Sequence, residues 1–136
     1  MNLEITENPA KEDDVFVINK LQEYNRKFGD GKFRLLSVYL RNNDNEIIGG
    51  LTGKTFGNWL HIESLWVAEK ERGKKLGSKL MQAAEAEAIS RGCIGSTLDT
   101  FSFQALDFYK KLGYSVIGTL SNYSGMYKRH YMEKQF

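Results

Sequence analysis

The stretch Glu69-Lys70-Glu71-Arg72-Gly73-Lys74-Lys75-Leu76-Gly77-Ser78 offers chemistry through its position as well as its composition. It follows a β-rich run, Trp59 to Val67, and precedes an Ala-, Glu- and Lys-rich segment with helical spacing. A basic, glycine-containing turn between a strand and a helix is suited to hold an anion. The first helical turn has backbone N–H groups without partners, and the peptide dipoles favour negative charge there. Gly73 and Gly77 let a ligand approach the backbone. The plain alternative is that they shape a tight turn and the basic residues are solvated.

Glu63, His61, Tyr109 and Cys93 are of types able to move protons or attack carbon. Glu63 and His61 share a face of the run Trp59 to Val67, and Glu63 serves best as a base if burial raises its pKa. It equally suits a structural carboxylate paired with a basic neighbour or exposed at a sheet edge. Tyr109 lies in an apolar helical segment, as a core aromatic or as a hydroxyl donor. Cys93 is the single cysteine, set at the start of a strand with no adjacent histidine, and reads as a buried thiol rather than a nucleophile.

The elements that must position these groups follow from periodicity. Leu3 to Thr6 reads as a short extended segment closed by Pro9, the one proline. Glu12, Asp13 and Asp14 then suit a helix start, and Val17, Leu21, Tyr24 and Phe28 form one stripe of a helix ended by Gly29 and Gly31 and packed on a partner. From Phe33 the period becomes two: Leu36, Val38 and Leu40 point one way. Asn42 to Asn45 turn the chain into Glu46 to Phe56, and Gly57-Asn58 turn it into Trp59 to Val67, a three-strand meander. Leu76, Leu80, Ala84 and Ala88 predict a helix that Gly92 ends. Ile94 to Asp99 returns to strand, Phe101, Ala105, Phe108 and Leu112 suggest another helix closed by Gly113, and Tyr114 to Gly118 and Met126 to Glu133 are final strands. Strand, helix and strand in succession require a parallel pair, so the fold class is α/β with a mixed sheet.

At 136 residues and 41% apolar side chains the chain reads as a single domain over 1–136. Nineteen Lys plus Arg against 17 Asp plus Glu give +2, with no block of like charge, which does not call for nucleic acid. One cysteine precludes an intrachain disulfide and argues against a structural zinc site, so no metal is expected. No basic leader runs into an apolar stretch and no run of about 18 apolar residues occurs, so the expected location is the cytoplasm, away from membranes.

Arg72-Gly73-Lys74-Lys75-Leu76-Gly77 resembles the acyl-CoA pyrophosphate loop of the GNAT N-acetyltransferases, with Lys75 where the family places its middle glycine. Glu63-Ser64-Leu65-Trp66-Val67 resembles the strand entering that loop. Downstream, Ser102-Phe103-Gln104-Ala105-Leu106-Asp107-Phe108-Tyr109, followed by Gly113-Tyr114, resembles the second family signature, with Ser102 in place of the usual Asn. The resemblance covers about Trp59 to Gly118.

The resemblance implies the GNAT fold, a central, mostly antiparallel mixed sheet split at two parallel strands and flanked by helices. It implies acetyl-CoA as co-substrate, with pantetheine beside Leu65, Trp66 and Val67 and the phosphates on Arg72, Gly73, Lys74, Lys75, Leu76, Gly77 and Ser78. Ser102 would reach the pantetheine arm or cap a helix. Tyr109 takes the family's place for protonating the departing thiolate, and Glu63 the place of a general base, with His61 in reserve. The partner would be a primary amine: a small molecule, a peptide N-terminus or a lysine. An acyl-CoA-binding module without turnover and an RNA-directed acetyltransferase using Tyr123, Tyr127, Arg129, His130 and Tyr131 are the alternatives. The family's habits allow a homodimer, which no residue specifies.

Overall fold

The computed structural model describes residues 1–29 and 33–136. The chain divides into two compact units, Met1–Lys32 and Phe33–Phe136.

The first unit contains helix α1, Lys11–Asn25, with Glu12, Asp13 and Asp14 in its first turn, as the charge pattern predicts. The Tyr24 and Phe28 rings meet at 5.9 Å. Leu3 to Thr6 forms no strand. Two apolar residues in four hold too little for a strand, and Asn8 instead turns its N–H onto the Thr6 hydroxyl at 3.0 Å. Gly31, expected to help end the helix, lies outside the described residues.

The second unit is a six-stranded sheet in the order β1-β2-β3-β4-β6-β5. Strands β1 (Phe33–Arg41), β2 (Ile47–Phe56) and β3 (Trp59–Val67) form the expected antiparallel meander. Asn42 makes the first turn by accepting the N–H groups of Asp44 and Glu46 on its side-chain oxygen. Helix α2 (Leu76–Ser90) carries the chain from β3 to a parallel β4 (Gly95–Phe101), which confirms the predicted crossover. A short α3 (Leu106–Lys111) leads to β5 (Ser115–Tyr123), and β6 (Tyr127–Gln135) inserts antiparallel between β4 and β5. Phe101 thus belongs to β4 and not to the helical stripe it matched. Strands β5 and β6 join in a tight hairpin at Ser124 and Gly125, both at positive φ, so β5 runs five residues past the expected Gly118.

The core lies between one face of the sheet and α2. Leu80, Met81, Ala84 and Ala88 of the helix are buried with Leu36, Leu51, Leu60, Ile62, Leu98 and Met132 of the strands. Polar groups inside this layer are paired. Tyr114 donates to Glu85 at 3.0 Å or to Ser96 at 2.9 Å, and Lys134 binds the other Glu85 oxygen at 2.8 Å. Desolvation, the larger effect, and the neighbouring Glu85 both push the Tyr114 phenol far up.

Two irregularities open the sheet. The β3/β4 pairing comprises Trp59–Gly95, Leu60–Ser96 and His61–Thr97, then stops while both strands continue. Opposite this point the β2/β3 register shifts: Gly53 pairs with Ile62 and Thr52 with Ser64, leaving Glu63 as the extra residue of a bulge. Before the bulge Leu60 and Ile62 face the core, and after it Leu65 and Val67 do. Two glycines accommodate the close approaches. A Cβ on Gly53 would stand 2.5 Å from the His61 carbonyl oxygen, and one on Gly95 would stand 2.5 Å from the Trp59 ring and 2.7 Å from the Lys134 carbonyl oxygen. Gly95→Ala is therefore expected to lower the unfolding free energy by about 1–3 kcal/mol, because a backbone oxygen has to give way. Urea unfolding of the two proteins measures this, and equal midpoints would mean that the seam relaxes freely.

Candidate active site

Where β3 and β4 part, two cavities open in the second unit. One, of about 510 Å³, is lined by Leu65, Trp66 and Val67 on β3, by Glu71, Arg72, Gly73 and Lys75 in the turn, by Leu76, Gly77 and Ser78 at the start of α2, and by Ala105 and Phe108. The other, of about 590 Å³, is lined by Glu63, Ser64, Asp99, Thr100, Phe103, Gln104 and Tyr109, among others. Leu65, Arg72, Ala105 and Phe108 border both, so the cavities share a wall.

The first cavity has the character of an anion site continued by an extended trough. The first backbone N–H of α2 to bond within the helix is that of Lys79, to Lys75, so those of Leu76, Gly77 and Ser78 precede the ladder. Gly73 stands at φ +80°, which only glycine adopts readily. Lys75 stands at φ 59°, in the left-handed region, at the N-cap of α2. Glycine would be free of strain there, so Lys75 carries a backbone cost on the order of 1 kcal/mol at a position that lines the cavity. Gly77 lies against Phe108, whose ring would come within 3.2 Å of an added Cβ. Arg72 Nε donates to the Val67 carbonyl oxygen at 3.2 Å, tying the turn to the end of β3. Leu65, Trp66 and Val67 pair with Leu51, Gly50 and Gly49 on one side, while their other edge faces the opening left by β4.

The second cavity gathers the acid–base groups. Tyr109 is buried except where it borders the cavity, and its hydroxyl makes no side-chain hydrogen bond among the described residues. Burial first, and then the negative charge of Asp99, raise its pKa. Glu63 borders the cavity and lies on the face of β3 away from the core: its side chain is 46% exposed and 3.2 Å from the Lys54 ammonium. The burial expected of it is absent. His61 shares its face, as its alternation predicts, and its Nδ1 lies 3.0 Å from the Thr97 hydroxyl, outside both cavity linings.

Two expected residues lie elsewhere. Lys74 pairs with Glu71 at 2.6 Å and lines neither cavity. Ser102 exchanges hydrogen bonds with Lys128, accepting its N–H on Oγ at 3.1 Å, and caps no helix, since the N-cap of α3 is Ala105. Gln104 faces the cavity instead, its side-chain oxygen accepting the Phe101 N–H at 2.9 Å. Asp99, missed in the sequence as an ordinary strand residue, borders the cavity and receives Arg129 Nε at 2.8 Å. Cys93 is buried, which pushes its thiol pKa up and leaves it unsuited to attack.

A family model described as the acetyltransferase (GNAT) family matches residues 3–114. The chain belongs to the GNAT acetyltransferase family. An acetyltransferase of Agrobacterium fabrum is 36% identical over 137 residues, covering all of both chains. The blasticidin-S acetyltransferase of Streptomyces morookaense is 41% identical over 91 residues, 66% of this chain and 67% of that one. The crystal structure of an acetyltransferase from Bacillus cereus superposes with a TM-score of 0.86 at 34% identity, over 98% of each chain. The GNAT chain is thus an acyltransferase, and its mixed sheet with one parallel pair is the fold that its motifs implied.

Proposed function

We propose that this GNAT chain transfers an acetyl group from acetyl-CoA to a primary amine by direct attack, with both substrates bound together. The observation that carries this reading is the shared wall of the two cavities: an anion-binding helix start and an open strand edge on one side, Tyr109 and two carboxylates on the other.

In this reading the N–H groups of Leu76, Gly77 and Ser78, with Arg72 and Lys75, hold the pyrophosphate. The free edge of Leu65 to Val67 binds the pantetheine arm as a strand would, and its N–H groups polarise the thioester carbonyl. An alkylammonium titrates near ~10.4, so it must lose a proton before its nitrogen can attack. Glu63, or water held at its carboxylate, takes that proton. As the new carbon–nitrogen bond forms and the carbon–sulfur bond breaks, the Tyr109 hydroxyl gives its proton to the sulfur, and the amide nitrogen's surplus proton leaves through solvent. Cys93 takes no part.

A thermal-shift titration with acetyl-CoA tests the cofactor half. Ligand at 100 times its dissociation constant adds about 2.7 kcal/mol to the native state. Gly77→Pro removes one free N–H and pushes a ring toward Phe108, yet proline is tolerated in a first helical turn, so the fold should survive. The expected result is an upward shift for the native protein, lost in a variant with unchanged circular dichroism. No native shift would overturn the reading. Release of free CoA thiol with a panel of primary amines, blasticidin S included, then tests the transfer. Binding without release from any of them would favour an acyl-CoA-binding module.

A further inference from the structure

The rim of the second cavity carries a feature that proton transfer does not use. Phe103 stacks on Phe101 with centroids 5.3 Å apart and planes 10° from parallel, and Tyr127 meets Phe103 edge-on at 4.7 Å. Phe101 is itself held by Tyr123 at 5.1 Å and by the Arg129 guanidinium at 5.5 Å, and Arg129 is fixed by Asp99 at 2.8 Å. Two rings thus hold Phe103, yet it remains 61% exposed and borders the cavity that holds Glu63, Asp99 and Tyr109. A phenyl ring braced by two aromatic neighbours and still largely exposed is preorganised to stack, since little side-chain freedom remains to be lost on binding. Its attachment through Arg129 to Asp99 sets the ring and a carboxylate in one rigid frame.

We propose that the acceptor is an amine carrying a planar aromatic or heteroaromatic ring, which stacks on Phe103 while its nitrogen reaches the carboxylate side of the cavity. This rests on the acetyl-transfer reading and names the substrate class for the same site. Aliphatic amines of similar bulk would fill the space without the offset-stacked attraction.

The test compares 2-phenylethylamine with 2-cyclohexylethylamine as acceptors, by release of CoA thiol. The native protein is expected to prefer the aromatic amine in kcat/KM by about threefold to tenfold. Phe103→Leu should bring the ratio to about one, while Phe103→Tyr keeps it. Each variant must show the native acetyl-CoA thermal shift, which separates loss of stacking from loss of fold. The same ratio in native and leucine proteins overturns the proposal. So does a native protein that binds acetyl-CoA but acetylates no 2-phenylethylamine. Absence of the acetyl-CoA shift itself counts against the transfer reading instead.

Discussion

Tyr109→Phe is expected to lower kcat by about 10²-fold or more, the usual contribution of a positioned general acid, with the acetyl-CoA thermal shift unchanged. The substitution removes one oxygen from a ring that packs edge-on against Phe108 at 5.1 Å and near Tyr114 at 6.0 Å, so the packing remains. A group that acts only while sulfur departs should lower kcat and kcat/KM together and leave KM alone. The upward pKa shift fixes the direction of the pH dependence. Burial and Asp99 both favour the neutral phenol, so the donor form persists above the ordinary tyrosine value, and the native rate should hold into alkaline solution. Steady-state kinetics across pH with one accepted amine measures all of this. Equal turnover by native and variant would remove Tyr109 from the chemistry and leave solvent as the proton donor.

The largest effect on stability is expected from Lys134→Met. Glu85 is buried on α2, with one oxygen on Tyr114 and the other on Lys134 of β6, and the lysine stem passes Gly113 with its ammonium 5.8 Å from the Tyr114 ring centroid. Methionine keeps much of the stem but leaves a buried carboxylate without its countercharge. Breaking such a pair costs up to about 3–5 kcal/mol when fully buried. Because the lysine side chain is 26% exposed, about 2–3 kcal/mol is expected here. That corresponds to a fall of roughly 10 °C in Tm for a chain of this size. Glu85→Gln added to Lys134→Met should recover part of the loss, since no unpaired charge is then buried. Thermal unfolding of the two single variants and the double variant decides it. Additive losses would show that the ion pair is not the unit that matters.

Much of this architecture was legible along the chain because it rests on local period. The meander announces itself through Leu36, Val38 and Leu40 and two Asn- or Gly-containing turns, and α2 through its fours from Leu76 to Ala88. The turn proposed for phosphate stands out in the sequence because helix start, glycines and cations are contiguous. What failed depended on distant pairing. Phe101 fits a helical stripe with Ala105 and Phe108, but seven β4–β6 pairs end on it and hold it in a strand. Ser102 looked like a cap or a ligand, and Lys128, 26 residues on, claims it. Asp99 carries no local mark of function; it borders the cavity because β4 leaves β3 two residues earlier. Alternation places Glu63 on β3 away from the core, but its position as an unpaired bulge residue comes from a shift of register that single-strand alternation cannot reveal.

That shift acts as a change of reading frame written into geometry. Up to Ile62 the even-numbered side chains of β3 enter the core, and from Leu65 the odd-numbered ones do. One residue that pairs with nothing therefore decides which side chains the last half of the strand presents to each side. An uninterrupted ladder through the same residues would turn Leu65 and Val67 outward, exchanging their places with Trp66. Substitutions there retune the cleft residue by residue, whereas the bulge sets the orientation of the last half of the strand as a whole.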